Sequence, residues 1–288
     1  PGNFRSDPVL GADAVGRFYY YSLKGNLLCD FFFSTTGGQT WTGPRAAFGG
    51  DKQWFTIDTT DGDGRGNIYA SWSLASNPWG DRVFIRSTDG GQSWTPLPAT
   101  SGNPPESFVS PWQYVWRVAV DASNLAEPEV YAANYGEINR SVDGGASFDA
   151  VLTNAGGWMP DVVVSTSGVV YAALGGVGSN AGIYRSVDGL NWANITPLDM
   201  LGYDYNRIVL ALAPSDENIL YCLIAGTGGR EDTRFYKYTY VSGDGTGSGG
   251  VWDNRSAQMD GLPQESSTGP LSHQDSYNMA VTVHPTDS

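Results

Sequence analysis

An all-β fold assembled from repeated four-stranded antiparallel units is predicted by three observations. The first is a phrase, Ser87-Thr88-Asp89-Gly90-Gly91-Gln92-Ser93-Trp94, which returns as Ser141-Val142-Asp143-Gly144-Gly145-Ala146-Ser147-Phe148. A looser copy runs Ser34-Thr35-Thr36-Gly37-Gly38-Gln39-Thr40-Trp41 and a one-residue-shorter copy Ser186-Val187-Asp188-Gly189-Leu190-Asn191-Trp192, so the serines lie 53, 54 and 45 residues apart. A period of that size marks stacked supersecondary units. The second observation is that strand signals precede each copy in constant order. The third is composition: 38 glycines, 13% aromatic and only 16% charged residues suit strands and tight turns rather than helices.

The elements follow in order. The first unit shows Phe18-Tyr19-Tyr20 and Phe31-Phe32-Phe33. The second shows Phe55-Thr56-Ile57, Ile68-Tyr69-Ala70 and Val83-Phe84-Ile85. The third is fullest, with Val118-Ala119-Val120, Val130-Tyr131-Ala132-Ala133, Ile138-Asn139-Arg140-Ser141 and, after Phe148, Ala150-Val151-Leu152. The fourth has Val162-Val163-Val164, Val169-Val170-Tyr171 and Ile183-Tyr184-Arg185, and the fifth Ile208-Val209-Leu210, Ile219-Leu220-Tyr221 and Phe235-Tyr236-Lys237. Short apolar runs rich in β-branched and aromatic residues, bounded by Gly, Asp and Pro, are strand signals. Five four-stranded units at this period read as the blades of a single β-propeller domain over residues 1–288. Met279-Ala280-Val281-Thr282-Val283-His284-Pro285 matches the first strand of a sixth. The expectation is a fragment of a six- or seven-bladed propeller, truncated at its C-terminus. The rival is a five-bladed ring in which this strand completes the first blade and residues 9–15 form a loop.

The phrase has a mechanical explanation. Asp-Gly between strands is a hairpin signal, because glycine supplies positive φ and the carboxylate accepts nearby backbone N–H groups. The serine hydroxyl serves another turn donor, and the closing Trp or Phe is carried back to bury against the neighbouring unit. Ser34, Trp41, Ser87, Asp89, Gly91, Trp94, Ser141, Asp143, Gly145, Phe148, Ser186, Asp188 and Trp192 are therefore structural. The fifth unit keeps a remnant, Ser242-Gly243-Asp244-Gly245, and then a Gly-rich stretch to Trp252.

These copies resemble the Asp-box, or bacterial neuraminidase repeat, S-x-D-x-G-x-x-[WF]. It occurs in the propellers of sialidases, some glucan-active hydrolases, sortilin-type receptors and a photosystem assembly factor. The copies at Ser87 and Ser141 fit fully, the copy at Ser34 has Thr36 where Asp belongs, and that at Ser186 is a residue short. The resemblance implies that the repeated turns share one face and that binding or catalysis uses the other, where loops lead into each inner strand. Those loops carry Lys52 and Trp54; Trp112, Tyr114, Trp116 and Arg117; Trp158 and Asp161; Tyr203, Asp204, Tyr205 and Arg207; and His273, Asp275 and Tyr277. Aromatic planes beside Asp and Arg suit sugar rings; they also suit packing between blade tops. A sialidase would need three arginines, a Tyr and Glu pair and an acid. Arg5 sits where that family has an early arginine, but Ser6-Asp7 follows it. A glucan-active hydrolase would need two carboxylates across a cleft, for which Asp161 and Asp204 are the best pair.

With 30 acidic against 16 basic residues, the net charge of −14 opposes binding to phosphate backbones, so nucleic acid is not an expected partner. No 18-residue apolar run exists to span a membrane. Cys29 and Cys222 lie in distant apolar strands and read as buried free thiols. Asn194-Ile195-Thr196 and Asn254-Arg255-Ser256 match the glycosylation sequon, a pattern short enough to arise by chance. The acidic loop at Asp58, Asp61 and Asp63 is the one plausible Ca²⁺ site, competing with a plain hairpin turn. His273 and His284 are too far apart in the repeat to point to a zinc site. The opening Pro1-Gly2 suggests a processed or excised chain. The expected function is that of a secreted or cell-surface module that binds a glycan or protein, alone or as part of a larger assembly; a glycoside hydrolase is the alternative.

Overall fold

The computed structural model describes residues 5–72, 83–97, 111–123, 129–226, 233–259 and 279–287. His273, Asp275 and Tyr277 lie outside the described residues. Among the described residues twenty strands form five separate four-stranded antiparallel sheets, each a meander in chain order. The first holds β1 (Arg5–Ala12), β2 (Phe18–Lys24), β3 (Cys29–Ser34) and β4 (Thr42–Ala46); the second β5 (Trp54–Ile57), β6 (Ile68–Ser71), β7 (Phe84–Ser87) and β8 (Thr95–Pro96). The third holds β9 (Val115–Asp121), β10 (Glu129–Asn134), β11 (Glu137–Ser141) and β12 (Asp149–Thr153). The fourth has β13 (Asp161–Val164), β14 (Val170–Leu174), β15 (Gly182–Ser186) and β16 (Ala193–Asn194), and the fifth β17 (Tyr205–Leu212), β18 (Ile219–Gly226), β19 (Thr233–Tyr240) and β20 (Gly250–Asn254).

Burial grades across each sheet. Every residue of β6, β10, β14 and β18 is buried, which is why these strands read as continuous apolar runs rather than as alternating ones. The outer strands are wet: all of β4 is exposed.

The chain divides into two compact units, one of residues 1–135 with 139–150 and one of 136–138 with 151–288. In the first unit Tyr19, Tyr21, Phe31, Phe55 and Trp72 make one core, with Trp94 packed against it. Tyr69, Phe84, Val115, Val118 and Val130 make another, with Trp112 and Phe148 against it. In the second unit Tyr171, Ile208, Leu210, Leu220, Cys222, Tyr236 and Tyr238 pack together with Trp252. Both cysteines are buried and free. Burial pushes the Cys29 thiol up to about 12 and holds Cys222 well above its ordinary range, so both stay protonated.

At the N-terminal end the rival reading, a loop over residues 9–15, is corrected in part. Residues 9–12 belong to β1, an inner strand paired with β2 in which only Val9 is buried, and residues 13–15 enter a turn. A register shift between Ser6 and Val9, with Asp7 at φ 45°, breaks its alternation. Arg5 is committed to a 2.7 Å ion pair with buried Asp30 and lies over Phe32, so it is held in the sheet. The sixth unit is only partial: residues 279–284 form no ladder among the described residues. Met279, Val281 and Val283 nonetheless pack alternately against the fifth sheet, beside Val209 and Leu223, then Ile219 and Tyr221.

The repeated phrase behaves as one device. Ser87 Oγ donates to Asp89 Oδ1 at 2.8 Å and accepts the Gly91 N–H at 2.8 Å. Asp89 then accepts the N–H groups of Gln92 and Ser93, both at 2.9 Å, and the Ser93 hydroxyl. Ser141, Asp143, Gly145 and Ser147 repeat this pattern. Asp188 accepts from Leu190, Asn191 and Ser186 in the shorter copy. Partial burial raises the Asp89 and Asp143 pKa values, but the hydrogen bonds, chiefly from Ser93 and Ser147, outweigh it and bring both below the usual carboxylate range. In the first copy the Thr36 hydroxyl replaces the carboxylate, accepting the Thr40 N–H at 2.9 Å, while Ser34 Oγ accepts the Gly38 N–H at 3.0 Å.

The two full copies also fasten sheet to sheet, whereas Trp41 is not carried into the neighbouring unit: it is 41% exposed and packs 6.0 Å from Tyr20 of its own sheet. Trp94 packs edge-on to Phe31 with centroids 5.0 Å apart, Phe148 meets Phe84 at 5.8 Å, and the Trp252 indole N–H donates to the Ile195 carbonyl at 2.6 Å. Gly91, at φ +82°, sits so close to Phe31 that an added Cβ would stand 2.5 Å from the ring.

Candidate functional site

In the first unit the residues leading into the inner strands form an aromatic group. Trp54, 39% exposed, opens β5, and the Arg117 guanidinium on β9 stands 5.6 Å from its ring centroid. Tyr114 and Trp116 stack at 5.7 Å and 9°, and Tyr135 lies 6.4 Å from Tyr114. The Tyr135 N–H donates to the Tyr114 carbonyl at 3.0 Å and to that of Pro111 at 3.1 Å, which ties the end of β10 to the 3₁₀ turn Pro111–Gln113. Trp112 departs from this group. Its ring packs 4.8 Å from Phe148 and 6.0 Å from Phe84, so it serves the core rather than the ligand face.

In the second unit Gly175 and Gly176 hold the site together. Gly176 and Tyr205 form an isolated antiparallel bridge, and an added Cβ on Gly176 would meet the Trp158 ring at 2.7 Å. Trp158 is 48% exposed and Tyr203 51% exposed. The Arg234 guanidinium, from the third strand of the fifth sheet, stands 5.5 Å from the Tyr203 centroid. A cavity of about 280 Å³ opens here, lined by Ser179, Ala181, Asn194, Leu201, Tyr203 and Asp204, with Tyr205 as its floor. Tyr205 itself is 2% exposed and its phenol donates to the Met200 carbonyl. Burial, the larger cause, raises that phenol to about 12. It supports the site and presents no group to a ligand. Arg207 lies on β17, half-buried and opposite Ala225.

The two carboxylates proposed from sequence are in unlike environments. Asp204 is exposed, whereas Asp161 is 5% exposed, its Oδ2 accepting the Leu210 N–H at 2.8 Å and its Oδ1 the Val162 N–H at 2.9 Å. Asp161 thus ties β13 to β17, and with both oxygens engaged it is poorly placed to protonate a leaving group or activate water.

The acidic loop is a hairpin. Asp58 Oδ1 accepts the Thr60 N–H at 2.9 Å, Asp61 is paired with Arg65, and Asp63 is exposed. Among the described residues no three His, Cys, Asp or Glu side chains converge as a metal site. Asp58 shares its hollow with Asp13, Arg17 and Arg65. Among the described residues no helix is long and apolar enough to cross a membrane.

Sequence reasoning missed Arg234, Tyr135, Ser179 and Asn194, none of which lies in a loop leading into an inner strand. Only the fold brings them there.

No protein-family model matches the sequence, and no curated protein matches it. Among solved structures, that of an ancestral GH74 enzyme aligns with a TM-score of 0.54 and 18% identity over 89% of this chain and 31% of that one. YCF48 bound to a D1 peptide gives 0.48 and 14% identity over 88% of this chain and 71% of that one. Aleuria aurantia lectin in complex with Fucalpha1-6GlcNAc gives 0.44 and 13% identity over 85% and 77%. The chain spans about a third of the length of the GH74 enzyme. At such identities the likeness speaks for fold, and together with the five four-stranded sheets it makes this chain a β-propeller.

Proposed function

We propose that the chain is an Asp-box propeller that acts outside the cell or on its surface as a glycan-binding module. The observation that carries this reading is the repeated pairing of an exposed aromatic ring with an arginine beside the inner strands: Trp54 with Arg117, and Tyr203 with Arg234. A ring stiffened by a guanidinium offers a flat apolar plane to the C–H face of a sugar, while polar groups around it meet the sugar hydroxyls. Binding is favoured over hydrolysis because Asp161, one of the two nominated carboxylates, is taken up by backbone donors.

The test is a glycan array probed with the whole chain, alongside a Trp54→Ala variant and an assay for reducing ends released from β-glucans and sialosides. Saturable binding to a restricted set of glycans, weakened at least about tenfold by Trp54→Ala, with no released sugar, is the expected result. An array without a hit rejects the glycan reading in favour of a protein ligand. Released sugar rejects the binding module in favour of a hydrolase.

A further inference from the structure

We infer that the cavity in the second unit is a subsite for a single neutral sugar residue, and that it discriminates against acidic sugars. This rests on the reading of the chain as a glycan binder and adds the class of sugar and the place where it sits. At about 280 Å³ the cavity is at the small end for ligand sites, which suits one ring and not an extended chain. Its walls divide by chemistry. Ala181, Leu201 and Tyr203 give an apolar side, and the Arg234 guanidinium stands against the Tyr203 ring.

Ser179, Asn194 and Asp204 give the polar side. The Asn194 amide is already oriented, its oxygen accepting the Thr196 N–H at 3.0 Å and its NH₂ contacting the Tyr184 hydroxyl at 3.4 Å. One NH₂ hydrogen is left for a ligand. Among the described residues Asp204 is the only charged one in the lining. An ionised carboxylate accepts and never donates, so its two oxygens can take two adjacent sugar hydroxyls in charge-assisted bonds. The same group repels a uronic or sialic acid carboxylate, and none of the described residues of this lining is a cation, Arg234 lying in the adjoining hollow. Because the Tyr205 phenol is turned to Met200, selectivity falls to Asp204.

Titration calorimetry and saturation-transfer NMR with the whole chain, using methyl glycosides of glucose, galactose and mannose against methyl glucuronide and N-acetylneuraminic acid, test this. At least one neutral glycoside should bind at least about ten times more tightly than either acid. Asp204→Asn should weaken the neutral sugar about tenfold and narrow its advantage over glucuronide. Since Asp204 and Leu201 are both exposed, the cavity-filling Leu201→Trp provides a second variant that should abolish the signal. Equal binding of glucuronide, or neutral binding unchanged in both variants, overturns the subsite. If array binding and its loss in Trp54→Ala persist in that case, the glycan-binding reading survives without this subsite; a chain that binds no glycan at all removes both.

Discussion

Phe31→Ala should destabilise the first unit by about 4 kcal/mol, more than any other substitution proposed for this chain. Phe31 is fully buried and is the shared partner of four rings, with centroids at 5.0 Å to Trp94, 5.4 Å to Phe55, 5.5 Å to Tyr19 and 5.8 Å to Tyr21. Removing it leaves a void that cannot collapse cheaply, because the facing residue, Gly91, has no side chain to move inward. Urea unfolding followed by tryptophan fluorescence should show the midpoint fall, with Trp94 reporting directly. An unchanged midpoint would mean that the Trp94 contact does not fasten these two sheets.

The second large effect is expected at Asp161. Asp161→Ala should cost about 3 kcal/mol, because it removes a buried acceptor shared by two backbone N–H groups, those of Leu210 and Val162. Asp161→Asn keeps one acceptor oxygen and should cost roughly half as much. Hydrogen exchange provides the local readout: the Leu210 amide should lose protection in Asp161→Ala ahead of amides elsewhere in β17. If Asp161→Ala leaves stability and exchange untouched, the tether between β13 and β17 is wrong and Asp161 becomes available again as an acid for catalysis.

The fold is legible in the sequence because its signals are local. The phrase writes the Ser–Asp–Gly hydrogen bonds into eight consecutive residues, and the all-buried second strands appear as uninterrupted apolar runs. Structure that breaks the period is hidden. In β1 three polar residues, Arg5, Ser6 and Asp7, follow one another and the register slips between Ser6 and Val9, so nothing alternates although the strand pairs on both sides of the slip. The site is half legible. Trp158, Tyr203 and Asp204 stand exposed in the loops that lead into the inner strands, and Trp54 is exposed at the start of β5. Trp112 and Tyr205 sit in the same loops and turn inward, because a ring at that position can face either solvent or core and sequence position does not decide which. Arg234 is not legible at all, since it reaches Tyr203 from a strand 31 residues further on.

The substitution of Thr36 for the aspartate of the other copies carries one more consequence. A neutral hydroxyl receives the Thr40 N–H as well as Asp89 receives that of Ser93, at 2.9 Å in both. The turn therefore closes on a neutral oxygen lone pair as well, although the lowered Asp89 and Asp143 pKa values show that it holds an ionised carboxylate more firmly. It follows that the acidity of the chain, −14 overall, is no tax levied by its architecture: the surface is free to set its own sign according to what it meets.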